Sequence, residues 1–256
     1  MYKTSEIFAF LTKKYPLKLQ EKWDQSGKIT FFDSSTTGVL VCLDVNELSV
    51  KEAIKRKCNL IISHHPIFTK SKEYPLSKKE KEIVQLLTKN KTSLIALHTC
   101  FDNNPLGMNY SFLRNCNIFK NIKVSKNAEG SYAIANLTIA KTTNELINFI
   151  STKLKLSKVI GLNEFKTESI KKVAVCCGCG FSVLKPLIEK NTDIDLFITG
   201  DVKWHDWQFA QLYNTNVLDI GHDIENLFVD VIYKDLLSLD GFKIYKFTSN
   251  KKFIIK

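Results

Sequence analysis

Apolar residues Ile7, Phe8 and Leu11 recur at helical spacing behind Thr4 and Ser5, either of which can cap the helix they predict before Pro16 ends it. Gly38 to Asp44 reads as a buried strand and Ser49 to Arg56 as a helix. The run Leu60, Ile61, Ile62 is a second strand that leads into His64, His65 and Pro66. A charged helix from Lys78 to Lys89 then precedes a strand at Ser93 to Leu97. This β-α-β-α-β order predicts a largely parallel sheet.

The centre of the chain changes period. Gly130 to Ala140 alternates, a helix follows at Thr143 to Leu154, and short strands are expected near Val159 and Val173. Beyond them come a helix near Val183 to Glu189, a strand at Asp195 to Thr199, a helix at Trp204 to Leu212, a strand at Val217 to Ile220 and a helix from about Asp223. The expectation is an α/β protein with mostly parallel sheets flanked by helices. Residues 1–125 with 217–256 would form one domain and 126–216 the other. No low-complexity linker or repeat marks the boundary.

Composition adds limits. At 256 residues, 44% hydrophobic and 25% charged, the chain is long enough for a sizeable core and unlike a disordered one. No apolar stretch approaches the roughly 20 residues of a membrane span, and Met1 to Pro16 lacks a secretion signal, so a soluble, cytoplasmic protein is expected. Seven irregularly spaced cysteines suit reduced thiols rather than a disulfide framework. The net charge of +11 raises nucleic-acid binding. Arg56 and Arg114 are the only arginines, however, and the lysines mix with glutamates, as in Lys70 to Glu82, so a solvated surface accounts for most of the surplus.

The candidate chemistry lies in five histidines. His64, His65, His98 and His222 each follow an apolar strand run, and parallel α/β sheets place ligand sites beyond the carboxyl ends of their strands. On an extended backbone the side chains of His64 and His65 would point to opposite sides, an arrangement suited to two metals rather than one. His98 and Asp102 flank Thr-Cys-Phe where a strand ends; Asp102 could bridge cations or cap the next segment. His222 and Glu225 stand three apart at a helix start, a spacing used in dinuclear carboxylate sites or, alternatively, an acidic residue favoured by the helix dipole. Imidazole and carboxylate donors suit zinc, iron or manganese alike. Cys176-Cys177-Gly178-Cys179-Gly180 contains a C-x-x-C spacing that a redox pair or a metal knuckle would use; a strand entering a glycine turn is the simpler reading.

Five segments carry a family resemblance: Ile62-Ser-His-His-Pro-Ile67, Ala96-Leu-His-Thr-Cys-Phe-Asp102, Val173-Ala-Val-Cys-Cys-Gly178, Thr199-Gly-Asp-Val-Lys-Trp-His205 and Asp219-Ile-Gly-His222. Together they resemble the Nif-three-like dinuclear metal-centre family, the type 2 GTP cyclohydrolase homologues, nearly end to end. The resemblance implies two interleaved α/β domains, commonly a homohexamer, without the inserted middle domain of longer members. It implies two divalent metal ions held by His64, His65, Asp102 and His222 with a glutamate of the last helix. The family pattern places that glutamate four residues after the histidine, whereas here Asn226 stands there. Glu225 is the expected ligand, with Asp223 and Asn226 as alternatives, and it serves only if the helix starts differently, because one residue turns a side chain by about 100°.

The expected function is metal-dependent hydrolysis of a nucleotide-like anionic substrate, GTP ring opening being the reaction suggested by the family name. Asp102 and Glu225 would neutralise only part of the charge of two divalent cations, leaving a centre that attracts anions. His98 and His205 are expected to orient ligands or carry protons, with a structural role as the alternative for each, and Lys203 reads as a surface lysine, with a phosphate contact as the alternative. Two rival classes remain open: a non-catalytic metal-binding, metal-delivery or regulatory protein, and a nucleic-acid-binding ring.

Overall fold

The computed structural model describes residues 2–67, 76–154, 156, 161–163 and 169–248. The strand expected near Val159 and residues 70–75 of the charged stretch lie outside them. The chain forms two compact units, Met1–Asn104 with Phe228–Lys256, and Pro105–Leu227.

The first unit carries strands β1 (Gly27–Thr30), β2 (Gly38–Cys42), β3 (Leu60–Ser63) and β4 (Ser93–Ala96). Its helices are α1 (Thr4–Lys14), α2 (Glu47–Lys55), α3 (Lys78–Lys89) and the short α4 (Thr99–Asp102). Val39 to Cys42 of β2 and every residue of β3 and β4 are apolar or small and buried, as strands covered on both faces require. They pair in parallel, β2 with β3 and β3 with β4. β1 closes one edge antiparallel to β4. The other edge is taken by β11 (Lys243–Phe247), parallel to β2, giving the order β1-β4-β3-β2-β11. The last strand among the described residues thus completes the sheet begun by the first segment.

The cap expected at Thr4 or Ser5 is displaced to Lys3. Thr4 is buried inside the helix, its amide and hydroxyl both donating to the Ser34 carbonyl (2.9 and 3.1 Å), and the Ser5 amide donates to Asp33 (3.1 Å). A neighbouring segment therefore satisfies the first-turn amides that a capping side chain would otherwise serve. In α3 the cap is local: Ser77 accepts from the Glu80 amide (3.3 Å) and Glu80 accepts from the Ser77 amide (2.7 Å), a reciprocal pair readable from the sequence.

The second unit is a six-stranded mixed sheet, order β5-β6-β8-β9-β10-β7. Its strands are β5 (Phe119–Asn127), β6 (Gly130–Lys141), β7 (Gly161–Asn163), β8 (Ile170–Val175), β9 (Leu196–Thr199) and β10 (Val217–Asp219). Its helices are α5 (Met108–Cys116), α6 (Thr143–Leu154), α7 (Leu184–Glu189) and α8 (Trp204–Leu212), and α9 (Leu227–Leu236) starts at its last residue. Only β8, β9 and β10 run parallel. β5 and β6 are joined by the two-residue turn Ala128-Glu129 and so must be antiparallel; β6 with β8 and β7 with β10 are antiparallel too. This sheet departs from the mainly parallel expectation at both ends. Its core gathers Val173, Val175, Leu196, Ile198 and Leu218 with Phe112 and Leu146 from the covering helices.

Candidate metal centre

In the first unit the carboxyl ends of β2, β3 and β4 deliver Asp44, the pair His64-His65, and His98. The chain bends directly after β3, where the Ser63 hydroxyl donates to the His65 carbonyl (2.8 Å), while the amides of His64 and His65 donate to Cys42 (3.2 Å) and Leu43 (3.0 Å). The bend corrects the expectation of opposed side chains, since the strand has already ended and the two rings converge to 4.8 Å between centroids. His98 lies 5.2 Å from His64 and 5.3 Å from His65 by the same measure. Each of the three rings offers one ligand atom, and these atoms all fall within 4.8 Å of one another. Asp102, on the single turn of α4, brings Oδ1 to 3.5 Å from His64 Nε2.

Each ring is held through Nδ1. His64 Nδ1 meets the Leu97 carbonyl (3.0 Å), His65 Nδ1 meets Asp44 Oδ1 (2.7 Å) and His98 Nδ1 meets Asp24 Oδ1 (2.9 Å). A carbonyl oxygen only accepts, so the proton of a neutral His64 sits on Nδ1 and its lone pair on Nε2, the tautomer a metal ligand needs. Ionised Asp44 and Asp24 impose the same tautomer on the other two rings. Beneath His64, which is fully buried, Phe228 and Phe101 pack at 5.0 and 6.1 Å. They fix the ring and keep the local dielectric low.

Asp24 carries no accessible side-chain surface. Burial pushes its carboxyl up, but hydrogen bonds from His98, Ser26 and Thr99 outweigh it and hold the group well below the usual carboxylate range. Asp24 and Asp44 were not singled out in the sequence; they sit 74 and 21 residues from their histidines. For Asp44 the signal is its place at the end of an expected strand; Asp24 lies between two expected elements and carries none.

In the second unit the loops after β8, β9 and β10 bring together Gly178, Asp201, His222 and Glu225. Asp219, at the end of β10, accepts from the amides of Val202 (2.9 Å) and Gly221 (2.8 Å), tying two of these loops to each other. The helix expected from Asp223 begins instead as a 3-10 turn, His222–Asn226, before α9. Residues three apart nearly eclipse in that geometry, and Glu225 Oε2 stands 2.8 Å from His222 Nε2. Of the three acidic or amide residues considered there, Glu225 is buried toward His222, Asp223 is exposed, and Asn226 donates to the Asp223 carbonyl (3.0 Å). His222 Nδ1 is held by Asp201, so this fourth histidine repeats the pattern of the other three. The hydrogen bond and charge of Glu225, helped by Asp201, overcome burial and push the His222 imidazole up to about 10.

His205, by contrast, is exposed on α8 with Asp206 at 3.5 Å, and Lys203 is exposed at the start of that helix. Cys176 turns inward toward the Ser131 carbonyl (3.2 Å) while Cys179 is exposed, and none of the described cysteines is in a disulfide. Nitrogen and oxygen donors with their second ring nitrogens anchored fit divalent cations. Among the described residues no helix is long and apolar enough to cross a membrane.

The family model for Duf34/NIF3 (NGG1p interacting factor 3) matches residues 2–252. The chain belongs to this family. A Ureaplasma parvum relative named GTP cyclohydrolase 1 type 2 homolog is 33% identical over 246 residues, 93% of this chain and 91% of the relative. One of the same name from Mycoplasmopsis pulmonis is 32% identical, covering 87% and 88%. Among solved structures, Staphylococcus aureus protein SA1388 superimposes with a TM-score of 0.87 over 100% of this chain and 99% of that one, at 23% identity, and so shares its fold.

Proposed function

We propose that this NIF3-family chain holds a pair of divalent cations and uses them to hydrolyse an anionic, nucleotide-like substrate. The observation that supports the reading best is the common anchoring of His64, His65, His98 and His222 through Nδ1, which turns Nε2 of each ring to the ligand side, that of His222 toward Glu225. The donors are His64, His65, Asp102, His222 and Glu225, and we add His98 on the strength of its place in the three-histidine cluster. Assigning His222 and Glu225 to the same centre as the others follows the family resemblance.

When bound, the cations supply Lewis-acid polarisation and a water acidic enough to react near pH 7. The chain's own residues supply the rest. Asp24, Asp44 and Asp201 orient the rings, and buried Phe101 and Phe228 exclude water from one side of His64. Phosphate-bearing ligands are the substrate class that the name of the relatives suggests. The relatives' name makes hydrolytic opening of the purine ring of GTP the first reaction to test.

Elemental analysis of protein purified without chelators, repeated on His64→Ala, His65→Ala and His222→Ala, tests the centre. A pair of ions in the wild type and parallel losses in all three variants are expected; unchanged content in the variants removes these residues as donors. Metal-loaded protein that hydrolyses neither GTP nor any nucleotide of a broad panel refutes the hydrolase, and transfer of its ions to an apo-acceptor would then assign a metal-delivery role.

A further inference from the structure

Gly178 stands in the middle of the turn after β8 with φ +67°, and a Cβ built there would lie 2.0 Å from Oε1 and 3.0 Å from Cδ of Glu225. The turn cannot retreat. The Gly178 carbonyl accepts from the amides of Gly180 and Gly200, both at 2.9 Å, and from the Thr199 hydroxyl at 3.3 Å. Gly200 is itself pressed against the next loop, where an added Cβ would come 2.9 Å from the Gly221 carbonyl oxygen. The backbones of three loops therefore meet without side chains, and the one yielding part of the contact is the end of the Glu225 side chain. A methyl group at position 178 would displace that carboxylate before it displaced the sheet.

We propose that Gly178 is a positioning residue, whose missing side chain seats the Glu225 carboxylate against the β8 turn so that it faces His222 as a cation donor. This rests on the metal reading above. A glycine required only by its left-handed backbone would be indifferent to what stands at position 225, and this difference makes the role measurable.

The test uses the full chain with G178A, E225D and the double variant. An aspartate is one methylene shorter and withdraws the carboxylate from the new methyl group. In chelator-treated protein, G178A should lower the unfolding temperature less in the E225D background than in the wild type; equal losses overturn the contact. Cobalt(II) titration, followed by ligand-field absorption, should show G178A binding roughly 10-fold or more weakly than wild type, and the double variant binding more tightly than G178A. Wild-type affinity in G178A, or a double variant as weak as the product of both single losses, overturns the positioning role. Wild-type protein that takes up no cobalt refutes the metal reading before any substitution is made, and the donor role of Glu225 with it. Should G178A fail to fold, folding of G178A in an E225A background supports the clash, and failure there overturns it.

Discussion

His98 Nδ1 donates to Asp24 Oδ1 at 2.9 Å, across 74 residues of sequence, and the same carboxylate also accepts from Ser26 Oγ (2.6 Å) and the Thr99 amide (3.0 Å). One buried side chain thus orients a ring of the histidine cluster and fastens the segment before β1 to the turn after β4. Structure and site share this bond, so its removal should be read in both.

Asp24→Ala leaves several buried donors without an acceptor. It should cost about 3–5 kcal/mol in urea unfolding, whereas Asp24→Asn, which keeps the shape, should cost less. In the folded Asn variant zinc affinity should drop by roughly 10–100-fold, as for other residues that orient metal ligands. Wild-type affinity in that variant would show that the orientation of His98 does not matter to an ion.

His98→Ala and His205→Ala make a contrasting pair. His98 belongs to the three-histidine cluster, while His205 is exposed. Bound metal should decrease in the first and stay unchanged in the second, with stability of the His205 variant within about 0.5 kcal/mol of wild type. Loss of metal in His205→Ala would contradict this division.

Tyr15 predicts an alkaline limit. Its hydroxyl donates to Asp235 at 2.7 Å, and burial, then the bond and charge of Asp235, raise its pKa well above the ordinary value. The folded protein therefore prefers the protonated phenol. This stability is fully present below the unfolded pKa of about 10 and is lost as pH rises from there toward the folded value. Urea midpoints should decline above about pH 10 in wild type, and less steeply in Tyr15→Phe. Identical slopes would dismiss Tyr15 as the cause.

Thiol reactivity should follow burial. Cys179 is exposed and Cys177 half-buried, whereas Cys42, Cys58, Cys100, Cys116 and Cys176 are buried. Burial pushes the thiols of Cys100 and Cys116 up to about 12 and that of Cys58 to about 11. A disulfide reagent should label Cys179 first in native protein and reach the buried five only in denaturant, because the thiolate is the reacting form. Fast native labelling that survives Cys179→Ser would place another thiol at the surface.

The sequence by itself determined the elements whose signals are local. α3, α6 and α8 occupy Lys78–Lys89, Thr143–Leu154 and Trp204–Leu212 as periodicity predicts, the first two opened by a serine or threonine paired with a glutamate three residues on. Buried β2, β3, β4 and β9 are short, mainly apolar runs of four or five residues. It also named His64, His65, His98 and His222, since each follows an apolar strand run. Only the tertiary structure decided the rest. The edge strands β1, β5, β7 and β11 are half-exposed and gain their hydrogen bonds from partners distant in sequence or across a turn, so their local pattern is faint. Asp24, Asp44 and Asp201 carry no local mark of a role until the sheets fold and bring each against a ring nitrogen. The 3-10 start that lets Glu225 meet His222, and the bare backbone of Gly178 that leaves it room, follow from the packing of three loops against one another, a constraint that no single stretch of sequence carries.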